Sequence, residues 1–324
     1  MQFDSSVITK TEKRIFSLRS LYSKRGYSPY RMSKFEDYDL YSRNKDFLMS
    51  DRVITFTDTN GRLKALKPDV TLSIVSNIED RPSELQKLYY DENVYRVDER
   101  TGAFREIMQM GLECIGAADN ASVTEVIELA ADSLEILSEG LDYMLKVSDI
   151  DIITAIAEEV AGNGKLMREL IRLAGSKNIH GICERCEAEG IIEKKYSLLT
   201  GLLKLSGGCD EVIAGLEEIC KGTAAEAEAG ELKSVLADLR DDVREKVSVD
   251  FSIVGDTKYY NGLALEGYIE GIPGSVLVGG RYDMLMQRMH KRSRAIGFAV
   301  YMDTLAGLGR YAGDRAIESF FGDR

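Results

Sequence analysis

From Ala103 to Ile115 the side chains alternate between two sets with a period of two. In a strand that period sends successive side chains to opposite faces. Phe104, Met108, Met110, Leu112 and Cys114 share one face, a core face interrupted by Glu106. Arg105, Ile107, Gln109, Gly111, Glu113 and Ile115 share the other. Together with Leu88–Val97 and the loop Asp98–Gly102 this stretch predicts a long hairpin, which commits the chain to a largely antiparallel sheet. The second face reads in two ways. It is a solvated face with polar residues at alternate positions, or it is a ligand floor. As a floor, Glu suits an ammonium, Gln a neutral polar atom and Arg an anion, with Gly111 leaving room between them.

The remaining segments fit an α+β chain. Residues 5–25 predict an amphipathic helix stopped by Gly26, and residues 52–66 a hairpin turning at Asn60-Gly61. Ser122-Val-Thr-Glu125 has the form of a capping box opening a helix that continues through Leu145. From 154 to 246 Ala, Glu, Lys and Leu dominate and helical patterns prevail. Strand patterns return at Val247–Val254, Leu263–Ile269, Ser275–Val278 and Ala295–Val300, followed by a helix from Met302 to about Ala312. The 324 residues thus divide into a core of 1–153 and 247–324, split by a helical insert of 154–246.

Composition excludes several classes. With 42 Lys and Arg against 54 Asp and Glu the net charge is −12, which disfavours a general nucleic-acid binder. No apolar run reaches the ~18–20 residues that span a bilayer. The polar stretch Met1–Lys13 is not a secretory signal, and five cysteines without a framework suit a reducing cytosol, so a cytoplasmic protein is expected.

Few short motifs carry chemistry on their own. There is no phosphate-binding glycine loop, nucleophile elbow or dinucleotide fingerprint, so no cofactor is expected. His180, Cys183 and Cys186 have a ligand-like spacing but lack a second knuckle, and idle thiols rather than a metal are expected. Lys67-Pro68-Asp69-Val70-Thr71 reads as a strand exit and helix cap, or as a site where Asp69 meets an amine. Lys258-Tyr259-Tyr260-Asn261-Gly262 reads as edge packing or a ligand-facing tyrosine pair. Gly279-Gly280-Arg281-Tyr282-Asp283 is a strand-to-helix junction open to close approach. The basic stretch Arg288–Arg294, with His290, reads as a solvated loop or a phosphate contact.

Taken in order, these motifs resemble the class II aminoacyl-tRNA synthetases, histidyl-tRNA synthetase above all. Val94-Tyr95-Arg96 through Gly116 resembles motif 2, with Arg96, Arg105, Gln109-Met110-Gly111-Leu112-Glu113 and Gly116 at the matching spacing. Lys67–Thr71 is similar to the family's Arg-Pro-Glu-Gly-Thr stretch, and Lys258–Asn261 to its histidine-specific tyrosine motif. Gly279–Asp283 matches the following signature unchanged, and Arg294-Ala295-Ile296-Gly297-Phe298-Ala299 resembles the opening of motif 3. The resemblance runs from about residue 5 to 310. It implies the fold of a class II synthetase, an antiparallel sheet flanked by helices, and a histidine-shaped pocket. Asp69, Thr71, Gln109 and Glu113 would hold the amino-acid part, Tyr259 and Tyr260 with Tyr282 would line the imidazole side, and Arg96 would face the carboxylate or an α-phosphate.

The departures from the family bear on function. Gly255 stands where a catalytic arginine precedes the tyrosine motif, Asp303-Thr304 replaces a Glu-Arg pair, Ala103 replaces an arginine, and Ser33 replaces a proline of motif 1. Charge development in phosphoryl chemistry depends on positioned cations, so their joint loss makes adenylation improbable. The chain also stops about one short helix after motif 3, without an anticodon-binding domain. Such a core resembles the family of regulatory subunits of short-form ATP phosphoribosyltransferase. That resemblance implies no catalysis of its own, partnership with the short catalytic subunit, histidine as effector, and a dimer within a hetero-octamer. The competing expectations are a free-standing enzyme that forms an aminoacyl-adenylate, favoured by Arg96 and Arg105, and an RNA-binding accessory protein.

Overall fold

The structure is a computed structural model and describes residues 7–48, 52–98, 100–254 and 259–307. Helix α1, Lys10–Lys24, opens with a complete capping box between Thr9 and Glu12 and buries Arg14, Ile15, Leu18 and Tyr22. The turn at Gly26 leads to β1 (Ser28–Pro29), then β2 (Phe35–Asp37) and α2 (Tyr38–Arg43). The expected hairpin forms as β3 (Thr55–Thr57) and β4 (Leu63–Leu66), with Gly61 at φ 78° in the turn. These strands join β2 in a small sheet of order β2-β4-β3. Helix α3, Val70–Asn77, follows directly.

The long hairpin is β5 (Leu85–Val97) and β6 (Phe104–Gly116), paired in register along its full length. The core face of β6 is buried at Met110, Leu112 and Cys114, but Phe104 at its start is 73% exposed, because the hairpin tip projects beyond the packed layers. The opposite face is solvated only near the hairpin tip, where Arg105 is exposed; Gln109, Glu113 and Ile115 are all buried.

Helix α4 spans Asn120–Ser138. Its cap is Asp119, which accepts from Ser122 N, rather than Ser122 itself. The helix does not continue through Leu145. It ends where Glu139 takes φ 52° and Gly140 φ 90°, and the chain then enters β7, Tyr143–Asp149. The apolar residues Leu141 and Leu145 happen to prolong the helical spacing, but the left-handed pair cannot continue a helix.

Seven helices follow: α5 (Ile150–Ala161), α6 (Lys165–Gly175), α7 (Ile179–Ala188), α8 (Glu193–Lys204), α9 (Cys209–Cys220), α10 (Glu226–Ala237) and α11 (Asp241–Arg244), with β8 (Ser206–Gly208) between α8 and α9. Strand β9, Val247–Asp250, returns parallel to β7. Strands β10 (Leu263–Ile269) and β11 (Leu277–Arg281), helix α12 (Asp283–Arg288) and strand β12 (Arg294–Tyr301) complete the main sheet. After β12, Met302–Gly307 form a 3-10 helix, and the rest of the expected final helix lies outside the described residues.

Nine strands make one sheet of order β1-β5-β6-β12-β11-β10-β7-β9-β8. It is antiparallel except where β1 meets β5 and β7 meets β9. One large core joins α1 and α4 to the helices that follow β7. A second, smaller core under α3 gathers Tyr90, Tyr259 and Tyr282. The stretch Arg288–Arg294 is not a free loop: Asp80 accepts from Arg292 N, Ser293 N and the Ser293 hydroxyl, and Lys291 donates to the Ile78 carbonyl.

Candidate functional site

The polar face of β6 forms one wall of a cavity of about 600 Å³. Asp69, Thr71, Arg96, Gln109, Tyr259 and Tyr260 all line it. Glu113 and Tyr282 lie just behind this lining. Glu113 Oε1 accepts from the Thr71 hydroxyl at 2.6 Å and Oε2 from the Tyr282 hydroxyl at 2.6 Å. All eight residues expected of the site therefore cluster, six on the cavity surface and two in direct support.

Each is placed by a local cause. Lys67 N donates to the Lys34 carbonyl and Tyr95 N to the Lys67 carbonyl, which lays the strand exit against β5. Pro68 cannot continue the pairing, and its carbonyl accepts from Arg96 Nε at 3.0 Å. Asp69 then caps α3 by accepting from Leu72 N at 2.7 Å. Asp69 is thus the expected helix cap and also lines the cavity. Tyr259 and Tyr260 stack edge to face with centroids 4.8 Å apart, and Tyr282 lies 6.3 Å from Tyr259. Gly297 pairs across the strands with Glu113, and a Cβ there would lie 1.9 Å from Glu113 Oε2. Only glycine leaves that carboxylate its place.

The electrostatics are those of a desolvated acidic pocket. Burial pushes Glu113 up to about 8, opposed by the Thr71 and Tyr282 hydrogen bonds and aided by Asp69. Burial likewise raises Asp69, opposed by Leu72 N, by Arg96 and by the Tyr259 hydroxyl. Tyr90, Tyr259, Tyr260 and Tyr282 are held far above the usual phenol range by burial, so they remain neutral donors and acceptors. Gln109 is 3% exposed, and its side-chain amide makes no hydrogen bond among the described residues. A ligand with a cationic nitrogen and further N–H groups would meet the Asp69 carboxyl and the Gln109 amide on the cavity surface.

The substituted positions behave differently. Thr304 turns its hydroxyl onto the Tyr301 carbonyl, and Asp303 accepts from Met108 N at 3.1 Å. Arg105 pairs with Asp98 near the hairpin tip at 2.6 Å and does not line the cavity. Gly255 and Lys258 lie outside the described residues. His180 is 84% exposed at its side chain and pairs with Glu184, and among the described residues no group of His, Cys, Asp or Glu could hold a metal ion. No described helix is long and apolar enough to cross a membrane.

Sequence reasoning missed several cavity residues. Tyr90 faces Gly111 across the hairpin, a large-against-small pairing that was readable once the register was known. Lys146 sits on β7, which the helical reading concealed. Glu266 and Tyr268 lie on β10, which carried no motif, and Tyr301 ends β12, two residues beyond the stretch that resembles motif 3.

The sheet and its flanking helices are those of a class II synthetase core, and the cavity lies on the polar face of β6. A family model for histidyl-tRNA synthetase matches residues 6–305. An ATP phosphoribosyltransferase regulatory subunit from Thermoanaerobacter pseudethanolicus is 30% identical over 291 residues, which are 88% of this chain and 75% of that protein. A solved ATP phosphoribosyltransferase regulatory subunit/histidyl-tRNA synthetase from Bacillus halodurans C superposes with a TM-score of 0.79 at 25% identity, covering 91% of this chain and 78% of the other. One chain of a solved ATP phosphoribosyl transferase (HisG:HisZ) complex from Thermotoga maritima shares the fold, with a TM-score of 0.69 at 18% identity over 93% of this chain and 98% of the other. The chain belongs to the histidyl-tRNA synthetase-like family of ATP phosphoribosyltransferase regulatory subunits.

Proposed function

We propose that this chain regulates short-form ATP phosphoribosyltransferase and does no chemistry of its own. In this reading it supports the catalytic subunit and relays histidine concentration to it. The observation that carries the reading is a contrast between two sets of positions. Asp69, Thr71 and Gln109 line the cavity with Glu113 behind them, whereas Thr304, at the motif 3 position, gives its hydroxyl to the Tyr301 carbonyl and supplies no cation. A pocket that can grip an amino acid but lacks that cation suits sensing better than adenylation.

Histidine is the proposed effector, held by Asp69, Thr71, Gln109 and Glu113 at its amino-acid part, by Arg96 at its carboxylate, and by Tyr259, Tyr260 and Tyr282 around its ring. Regulation requires that histidine bind the active and inhibited assemblies unequally. A coupling of ~1–3 kcal/mol gives roughly 5–150-fold control. The assembly proposed is a dimer of this chain within a hetero-octamer, in the cytoplasm, with 154–246 as a helical insert in the core of 1–153 and 247–324.

The test is phosphoribosyl transfer to ATP by the short catalytic subunit, with and without this chain, across a histidine titration. Stimulation by the chain, with histidine inhibition only in the mixture, is the expected result. No stimulation of a competent catalytic subunit overturns the reading. Histidine-dependent ATP–pyrophosphate exchange by the chain alone would instead favour an adenylate-forming enzyme that uses Arg96.

A further inference from the structure

Outside the cavity, α10 meets the ends of β7, β10 and β11 around a second group of charged side chains. Asn120, Asp149, Glu231 and Arg281, with Leu232, Val235 and Leu263, enclose a gap of about 10 Å³. That is room for one water and for no larger ligand. The Arg281 side chain is 15% exposed and lies 3.9 Å from Glu231 of α10. Its charge also faces Asp149, Asp151 and Asp283. Glu228, one turn before Glu231, faces Asp151, and its Oε2 is buried with no hydrogen-bond partner among the described residues. Arg294 of β12 adds a second cation beside Asp283. Five carboxyls thus share two guanidiniums.

Asp149 is the most enclosed of the five. Its Oδ1 already accepts from Asp151 N at 3.0 Å and Ile152 N at 3.2 Å, as the cap of α5. Burial, aided by Asp151, pushes its carboxyl up to about 7, against the pull of Ile152 N and Arg281. A proton on Oδ2 leaves Arg281 to Asp151 and Glu231. Loss of that proton to water places a further negative charge across the gap from Glu231.

The same residues hold the tyrosine loop. The Arg281 carbonyl accepts from Asn261 N at 3.0 Å, and the Gly262 carbonyl accepts from Ile150 N at 2.7 Å. Ile150 follows Asp149 directly, and Tyr282, the donor to Glu113, follows Arg281. The segment after Tyr259 and Tyr260 is therefore tied to the cluster by two backbone bonds.

We propose that these carboxyls and Arg281 form a proton-operated latch between α10 and the tyrosine loop. With Asp149 protonated the latch is closed. Once Asp149 ionises, it repels Glu231, α10 loosens from the sheet, and the bonds of Asn261 and Ile150 loosen with it. The latch is an input separate from the cavity and acts whatever ligand the cavity takes. A carboxyl held at about 7 in the closed latch and near 3.8 in an open one favours opening with each pH unit between those values, and no further above 7. Opening that restores even one unit of that range gives about a tenfold change.

Amide hydrogen exchange of the full chain at pH 5 and pH 8, corrected for intrinsic rates, reads each part. Leu18 and Tyr22 of α1 sit in the same core and report global opening. In wild type, protection of α10, Asn261 and Ile150 is expected to fall at least about tenfold more than that of these two. Asp149→Asn keeps the cap without the charge, so its α10 should follow α1. Glu231→Gln, at a side chain 57% exposed, should shrink the wild-type difference at least about threefold. The latch is overturned if α10 and α1 lose protection in step in wild type, or if Asp149→Asn keeps the difference. Should Asp149→Asn not fold, an undiminished difference in Glu231→Gln overturns it alone. A response in α10 without one at Asn261 and Ile150 overturns the link to the tyrosine loop.

Discussion

Glu113 is the residue on which the pocket turns, and its burial makes it measurable. An unfolded chain holds this carboxyl near 4.5, whereas the fold raises it to about 8. The folded state therefore keeps a proton that the unfolded state releases, and stability falls as pH climbs from 4.5 towards 8. Asp149, raised by burial to about 7, tilts the curve the same way. Glu113→Gln keeps the shape and removes the charge. Thermal melts should show the variant near wild type at pH 5 and above it at pH 8.5, while histidine affinity drops. Hydrogen bonds to charged groups contribute ~1.5–3 kcal/mol, which corresponds to a loss of roughly ten- to hundredfold. A pH profile parallel to wild type would mean that Glu113 is already ionised in the empty pocket. Gln109 and Glu113 were legible from alternation alone, since period two fixes their face. Tyr282 was not, because it reaches Glu113 from 169 positions away and no local pattern reports such a contact. Only the resemblance to a known family brought the two together.

At the scale of elements, α3 shows how one residue serves structure and site. Asp69 caps the helix through Leu72 N and also faces the cavity. The two roles separate by substitution, because Asn caps as well as Asp, whereas losing the cap costs ~1 kcal/mol. Asp69→Asn should melt within a degree or two of wild type yet bind histidine more weakly. Asp69→Ala should lose both stability and binding. Equal histidine affinity in wild type and Asp69→Asn would remove Asp69 from the amine contact. Element boundaries were readable where a turn residue and a change of period coincide, as at Leu263–Ile269, which forms β10 as expected. They were unreadable at β7, where Leu141 and Leu145 mimic helical spacing and the decisive event is a left-handed Glu139. That single backbone angle hid the strand that supplies Lys146 to the cavity and pairs with both β10 and β9.

For the whole molecule, the question is whether the helical stretch moves with the sheet or apart from it. Leu18 of α1, Leu112 of β6 and Leu134 of α4 share one core with Leu170 of α6, Leu199 of α8 and Leu232 of α10. Strand β9 closes the stretch by pairing with β7, from which it departed. At that seam Asp250 accepts from Lys146 at 3.1 Å, from Lys177 at 3.0 Å and from the Ser252 hydroxyl at 2.7 Å. Burial pushes the Asp250 carboxyl up, but these bonds together outweigh it and hold it at about 2. A shared core predicts one cooperative transition, with calorimetric and van't Hoff enthalpies equal. Asp250→Asn should lower its midpoint, by ~1–2 kcal/mol in stability, without splitting it. The asparagine should also erase the stability that wild type gains as pH rises from about 2 through 3.8, since a depressed carboxyl stabilises only while ionised. Two transitions would make residues 154–246 a separate folding unit, and a signal from the pocket would then cross a hinge. One transition means that the pocket and the helical stretch share a single packed interior. A ligand that touches both would then bias them together, which is the bistable coupling that a regulatory subunit needs.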